Sequence, residues 1–147
     1  MERQGGSRAL TVRAVDGTMK SHYSIDSERK LIFKKHVGKV TVDEEIALLE
    51  EVMADPAFRS GMSALCDFTE ADGSWSLNEL DRFRAFVDRI RRRWGQCKWA
   101  VVFTAGADTS TARIFVALND AFGTEIEVKL FNSAEDGLAW MAEPVSE

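Results

Sequence analysis

The side chains that could do chemistry gather in one stretch, Leu65 to Leu80, which reads LCDFTEADGSWSLNEL. Asp67, Glu70 and Asp72 are its carboxylates. Three acidic groups at the carboxyl end of a strand could hold Mg²⁺, and open α/β sheets bind ligands at such ends. No Gly-rich loop or lysine motif accompanies them to cradle a phosphate. Acidic residues ahead of a helix are also favoured by its dipole, so loop and capping duty is the preferred reading. Thr69, Ser74 and Ser76 supply hydroxyls. Ser76-Leu77-Asn78-Glu79 is a complete capping box, which accounts for Ser76 by helix initiation alone. Trp75 is a large aromatic after a loop, either folded back onto the core or offered to a partner; packing is the preferred reading.

Elsewhere the reactive residue types are scattered. His22 and His36 have no metal-ligand spacing and stand beside no candidate nucleophile, so both are expected as solvated strand histidines. Cys66 and Cys97 lie in or beside apolar runs with no C-x-x-C, and read as reduced core thiols of a cytoplasmic protein. Arg89, Arg91, Arg92 and Arg93 crowd a helix end, where cations complement the dipole. Thr109-Ser110-Thr111 opens a helix whose amides could receive an anion, but Asp108 already brings a carboxylate there. No nucleophile, base and orienter arrangement is legible. No catalytic, cofactor-binding or metal residue is assigned, and no cofactor is expected.

The elements that must position these residues follow from periodicity. Residues 1–17 form a polar lead-in, partly disordered by expectation, although Ala9 to Val15 alternates enough to add a strand. His22 to Ile25 and Lys30 to Val37 read as strands joined by a turn at Asp26-Ser27-Glu28-Arg29. Thr41-Val42-Asp43-Glu44 is a capping box, followed by Val42, Ile46, Leu49 and Met53 on one helical face and a stop at Asp55-Pro56. Met62 to Phe68 reads as a buried strand ending near Asp67. Ser76 to Trp94 carries Leu77, Leu80, Phe83, Val87, Ile90 and Trp94 as a helical stripe, stopped by Gly95. Lys98 to Thr104 is the most strand-like stretch. Asp108 is expected to cap a helix with Phe115, Leu118 and Phe122, stopped by Gly123. Ile126, Val128 and Leu130 alternate as a strand, and Ser133 opens a last helix with Leu138 and Met141.

The order is β-β-α-β-α-β-α-β-α. Strands separated by helices of this length are crossover units with parallel neighbours, so the fold class is α/β with a mostly parallel mixed sheet and crossover helices. At 147 residues, 45% apolar and 29% charged, the chain suits one soluble domain, over 18–147, with a real core. The net charge of -5 argues against nucleic acid as a partner. No apolar segment approaches the ~18 residues of a membrane span, and the first residues carry no apolar run of the secretory type.

The order, with Tyr23-Ser24-Ile25-Asp26, Gly38-Lys39-Val40-Thr41, Asp55-Pro56-Ala57-Phe58, Leu65-Cys66-Asp67 and Ala139-Trp140, resembles the SpoIIAA-like fold of STAS domains. Within it, the chain is most similar to the small, functionally unassigned bacterial STAS/SEC14-like proteins, over about Tyr23 to Glu143. In STAS anti-sigma antagonists, the strand before the second long helix runs into an Asp-Ser/Thr-Gly turn whose hydroxyl is a kinase target. Phosphate there adds nearly two negative charges to a contact surface. Here Asp67 is followed by Phe68-Thr69-Glu70, and Ser74 and Ser76 come only later, so the switch residue is displaced.

Three functions remain open. The resemblance and the missing catalytic constellation imply a non-enzymatic, regulatory module acting through protein contacts. Asp67, Thr69, Ser74, Trp75 and Ser76 would be its contact or regulatory loop. The broad apolar face of the helix from Thr111 to Phe122, with Ile114, Phe115 and Leu118, would be its interface with a partner or a second copy. The SEC14-like resemblance and the many aromatics imply instead a small apolar-ligand or lipid binder, which requires a cavity. An enzyme using Asp67, Glu70 or Asp72 ranks last.

Overall fold

The structure, a computed structural model, describes residues 11–15, 19–72, 74–122 and 125–144. The first ten residues and the expected stop at Gly123 lie outside them. Six strands make one sheet in strictly sequential order: β1 (Thr11–Val15), β2 (Met19–Asp26), β3 (Leu31–Lys39), β4 (Ser63–Asp72), β5 (Cys97–Val102) and β6 (Ile126–Phe131). The first three are antiparallel, and β3 to β6 are parallel. The alternating segment of the lead-in does add a strand, β1. The β2–β3 turn closes as expected, with Asp26 Oδ1 accepting from the Arg29 amide at 3.2 Å and Oδ2 from Arg29 Nε at 2.8 Å.

Four helices complete the chain: α1 (Val42–Ala54), α2 (Leu77–Trp94), α3 (Ser110–Phe122) and α4 (Ala134–Met141). A right-handed crossover between sequential parallel strands always returns over the same face. The helices α1, α2 and α3 therefore share one side, with a core built on Ile32, Cys66, Trp99 and Val128. Among the described residues β6 is the edge strand, and α4, which follows it, folds over the other side onto Leu65, Ala100 and Val102.

Local chemistry sets the helix ends. Thr41 and Ser76 both close full capping boxes, with Glu44 and Glu79 reaching back to the cap amides. At the end of α2, Gly95 has φ 89°, and a Cβ there would stand 2.4 Å from Ser60 Oγ. Only glycine fits that crossing. Gly137 serves α4 differently: a Cβ there would lie 3.0 Å from Leu65 and 3.2 Å from Ala100, so its absence lets the helix settle directly on the sheet.

Four expectations need correction. The strand expected to end near Asp67 runs on to Asp72, because its parallel pairing with β3 continues to Lys39. Leu77, placed in the α2 stripe, is 71% exposed; the first turn overhangs the core, and Phe86 takes the inward position instead. The helix α3 starts at Ser110, and Asp108 folds an Asx turn before it by accepting from the Ser110 amide at 3.0 Å. His36, expected in solvent, is fully buried. Its position in β3 shares the parity of Ile32 and Lys34, so it faces the three helices.

Candidate ligand cavity

Alternation along β3 directs Lys34 and His36 inward beneath α1, where apolar side chains would be the norm. Lys34 is 2% exposed and His36 0%. Both meet Glu45, itself 4% exposed, on the inner face of α1. The Lys34 ammonium donates to Glu45 Oε2. His36 Nε2 lies 3.1 Å from Glu45 Oε1, out of line for a hydrogen bond, and its Nδ1 is 2.7 Å from Ser21 Oγ. A carboxylate can only accept, so the imidazole proton belongs on Nε2, and the Ser21 hydroxyl donates to Nδ1. Buried charges persist only when paired and hydrogen-bonded.

The electrostatics of this group are strongly biased. Burial alone would raise the Glu45 carboxyl, but the Lys34 ammonium and the His36 imidazole beside it outweigh this and hold its pKa down to about 2. Burial would lower Lys34; Cys66 and Glu45 beside it outweigh this and keep it above the ordinary lysine value. Burial pushes the Cys66 thiol up, against the pull of Lys34. Cys97 is raised by burial as well. Both cysteines are free and buried, as expected.

Above this pair the core does not close. A cavity of ≈ 90 Å³ lies between the sheet and the three helices. Its floor is Lys34, Cys66, Trp99 and Val128, one residue each from β3 to β6; Glu45 of α1, Phe83 of α2 and Phe115 of α3 form its roof. The cavity is predominantly apolar. Phe83 sits at the centre of an aromatic cluster, 5.2 Å from Trp75 and 5.3 Å from Phe115, ring centre to ring centre. Trp75 is folded back as expected, its indole donating to the Val40 carbonyl at 2.9 Å, and it forms part of the cavity wall. Asp108, at the head of α3, adds an exposed carboxylate to the lining.

Among solved structures, the chain is similar to an uncharacterized protein of the DUF3478 family with a SpoIIAA-like fold from Shewanella loihica PV-4. The two share 20% identity and a TM-score of 0.50, over 97% of this chain and 98% of the other. The chain has the SpoIIAA-like fold. No protein-family model and no curated protein sequence matches it.

In this SpoIIAA-like frame, the residues singled out along Asp67 to Ser76 are spread out rather than convergent. Asp67 Oδ1 accepts from the Thr69 amide and hydroxyl at 2.8 and 2.7 Å, and its Oδ2 lies 3.6 Å from Lys35 Nζ. Glu70 takes the same lysine at 3.0 Å. Asp72 accepts from the Ser74 amide at 3.0 Å, and Ser76 from Glu79 at 3.2 Å. Each hydroxyl or carboxylate thus holds a local turn, a cap or a surface pair. On α3, Phe115 and Leu118 turn towards the core, whereas Ile114 is 41% exposed. Thr111 is held against the Trp75 backbone, accepting from its amide at 3.5 Å and donating to its carbonyl at 3.3 Å. Of the arginines at the end of α2, Arg91 pairs with Asp88 and Glu125, and Arg93 donates to the Met53 carbonyl. Among the described residues, no helix is long and apolar enough to cross a membrane.

Sequence reasoning missed Lys34, His36 and Glu45. One signal was legible: Lys34 and His36 share the parity of Ile32, and Glu45 is four residues from Leu49 on the apolar side of α1.

Proposed function

We propose that the protein is a non-enzymatic module that binds a small apolar molecule in the cavity between the sheet and α1, α2 and α3. The observation that carries this reading is the cavity itself, an apolar space of ≈ 90 Å³ between the sheet and three helices. An apolar cavity of about 150 Å³ suffices for a benzene-sized guest. The present volume therefore favours a guest of a few carbons, and a lipid chain would need α3 to swing away. The polar groups on the wall do not support catalysis. Lys34 is neutralised by Glu45 and the Cys66 thiol is kept protonated by burial, so neither is an activated nucleophile.

The test is thermal unfolding of the full chain with cyclopropane or cyclopentane. A guest bound only by the folded state raises Tm with concentration, by the equivalent of about 2.7 kcal/mol at a hundred times Kd. Val128→Phe, which sends a ring into the cavity, should abolish the rise. No rise at saturating probe would overturn the reading.

A second reading, a contact module, has its own observation. Leu77 at 71% and Ile114 at 41% are the exposed large hydrophobic side chains of the described residues. Sedimentation of the wild type against Leu77→Glu/Ile114→Glu tests it: a concentration-dependent dimer lost in the variant supports self-association, and a monomer throughout removes it.

A further inference from the structure

We infer that the guest of this cavity is an uncharged apolar molecule bearing one hydrogen-bond acceptor, such as a carbonyl oxygen, which accepts from the indole N–H of Trp99. The inference rests on the ligand-binding reading and narrows its chemistry. Trp99 stands in β5 between Ala64 of β4 and Val128 of β6, is 4% exposed, and lines the cavity. Its Nε1 is buried and has no hydrogen-bond partner among the described residues. An indole nitrogen is a donor only, and a buried one almost always finds an acceptor. Two other indoles here do so: Trp75 donates to the Val40 carbonyl at 2.9 Å and Trp94 to the Met62 carbonyl at 2.7 Å. Trp99 is packed edge-on against Trp94, ring centres 5.2 Å apart, and its flanking strands spend their carbonyls on the sheet ladder. Trp99 lines the cavity, so a guest held against its ring is a source for the missing acceptor.

The rest of the wall selects against charge. Lys34 is already paired with Glu45, and Asp108 adds a second carboxylate to the lining. An anionic guest would meet two carboxylates and a lysine that is taken. A protonated amine has no lone pair to offer the Trp99 N–H. A neutral guest with an acceptor oxygen satisfies the donor without disturbing the pair.

The probes are cyclopentanone, cyclopentane and cyclopentanecarboxylate, titrated into ¹⁵N-labelled full-length protein. Of the indole signals from the four tryptophans, that of Trp99 is the one missing from Trp99→Phe. The ketone should bind about tenfold more tightly than the hydrocarbon, the increment of one net hydrogen bond. It should also move the Trp99 indole proton downfield, and the carboxylate should bind weakest. In Trp99→Phe the ketone and hydrocarbon should become equal. Equal binding of ketone and hydrocarbon by the wild type overturns this inference and leaves the ligand-binding reading standing, as does a ketone preference that survives in Trp99→Phe. Failure of all three probes to bind overturns both. Should Trp99→Phe not fold, the wild-type comparison of ketone with hydrocarbon decides alone.

Discussion

Each face of the sheet buries a lysine, and the two are satisfied by different chemistry. Beneath α4, Lys98 sends its ammonium to the carbonyls of Trp140 and Glu143, each at 2.8 Å, and lies 4.9 Å from the centre of the Trp140 ring. The Trp140 carbonyl lies in the last turn of α4 and that of Glu143 just beyond it, so the lysine acts as a C-terminal clasp that ties the helix to β5. Beneath α1, Lys34 meets the full charge of Glu45, and the pair borders a cavity. Directly under α4 the packing is tight, Gly137 resting on Leu65 and Ala100. The opposite face carries three helices and more aromatics, and a cavity remains among them. One face spends its buried charge on holding a helix down, whereas the other keeps a neutralised pair beside a chamber.

The largest effect expected from breaking this contrast is at Glu45. Glu45→Ala leaves Lys34 buried and uncompensated and should cost about 3–5 kcal/mol in urea unfolding. The double change Lys34→Met/Glu45→Leu should recover most of it, because apolar replacement of a buried pair is close to neutral. The same pair sets a pH dependence. The Glu45 carboxyl falls from 4.5 in the unfolded chain to about 2, so its contribution is complete above pH 4.5 and is lost as pH falls towards 2. Acid unfolding of Glu45→Gln should lack that part of the slope. At the alkaline end, Lys34 is raised above 10.5, so its contribution is complete below that pH and lost as pH rises through the folded value.

Gly137→Val presses a branched side chain into Leu65 and Ala100 and should cost about 1–3 kcal/mol, as overpacking of a closed core does. Ser76→Ala, at a cap outside both faces, should cost about 1 kcal/mol and calibrates the scale. The smallest effect should come from the open side: Val128→Ile adds one methylene beside the cavity and should be neutral or stabilising by up to about 0.8 kcal/mol. A Val128→Ile penalty as large as that of Gly137→Val would remove the distinction between the faces.

Much of this fold was readable before any coordinates. Capping boxes at Thr41 and Ser76 fix helix starts through contacts three residues apart, and the continuous apolar run in KWAVVFT marks β5 without reference to the rest of the chain. The candidate site was less readable. Asp67, Glu70 and Asp72 are dense in sequence, but β4 continues through them and leaves the first two paired with Lys35 at the surface and the third in a turn with Ser74. Leu77 fitted a helical stripe that begins before the helix has reached the core. His36 looked like an ordinary strand histidine because nothing within several residues reveals its partner.

The sequence by itself determined the element order, the α/β class and the caps at Thr41 and Ser76, since each depends on periods of two or 3.6 residues and on neighbours along the chain. Only the tertiary structure decided that Lys34 of β3 meets Glu45 of α1, and that Trp99 of β5 is left with an unanswered N–H beside open space. Both facts depend on how three helices, spaced by crossovers, share one face of a sheet. Their ring volumes and the distances between them are set by packing across the whole chain, and no local pattern records the sum.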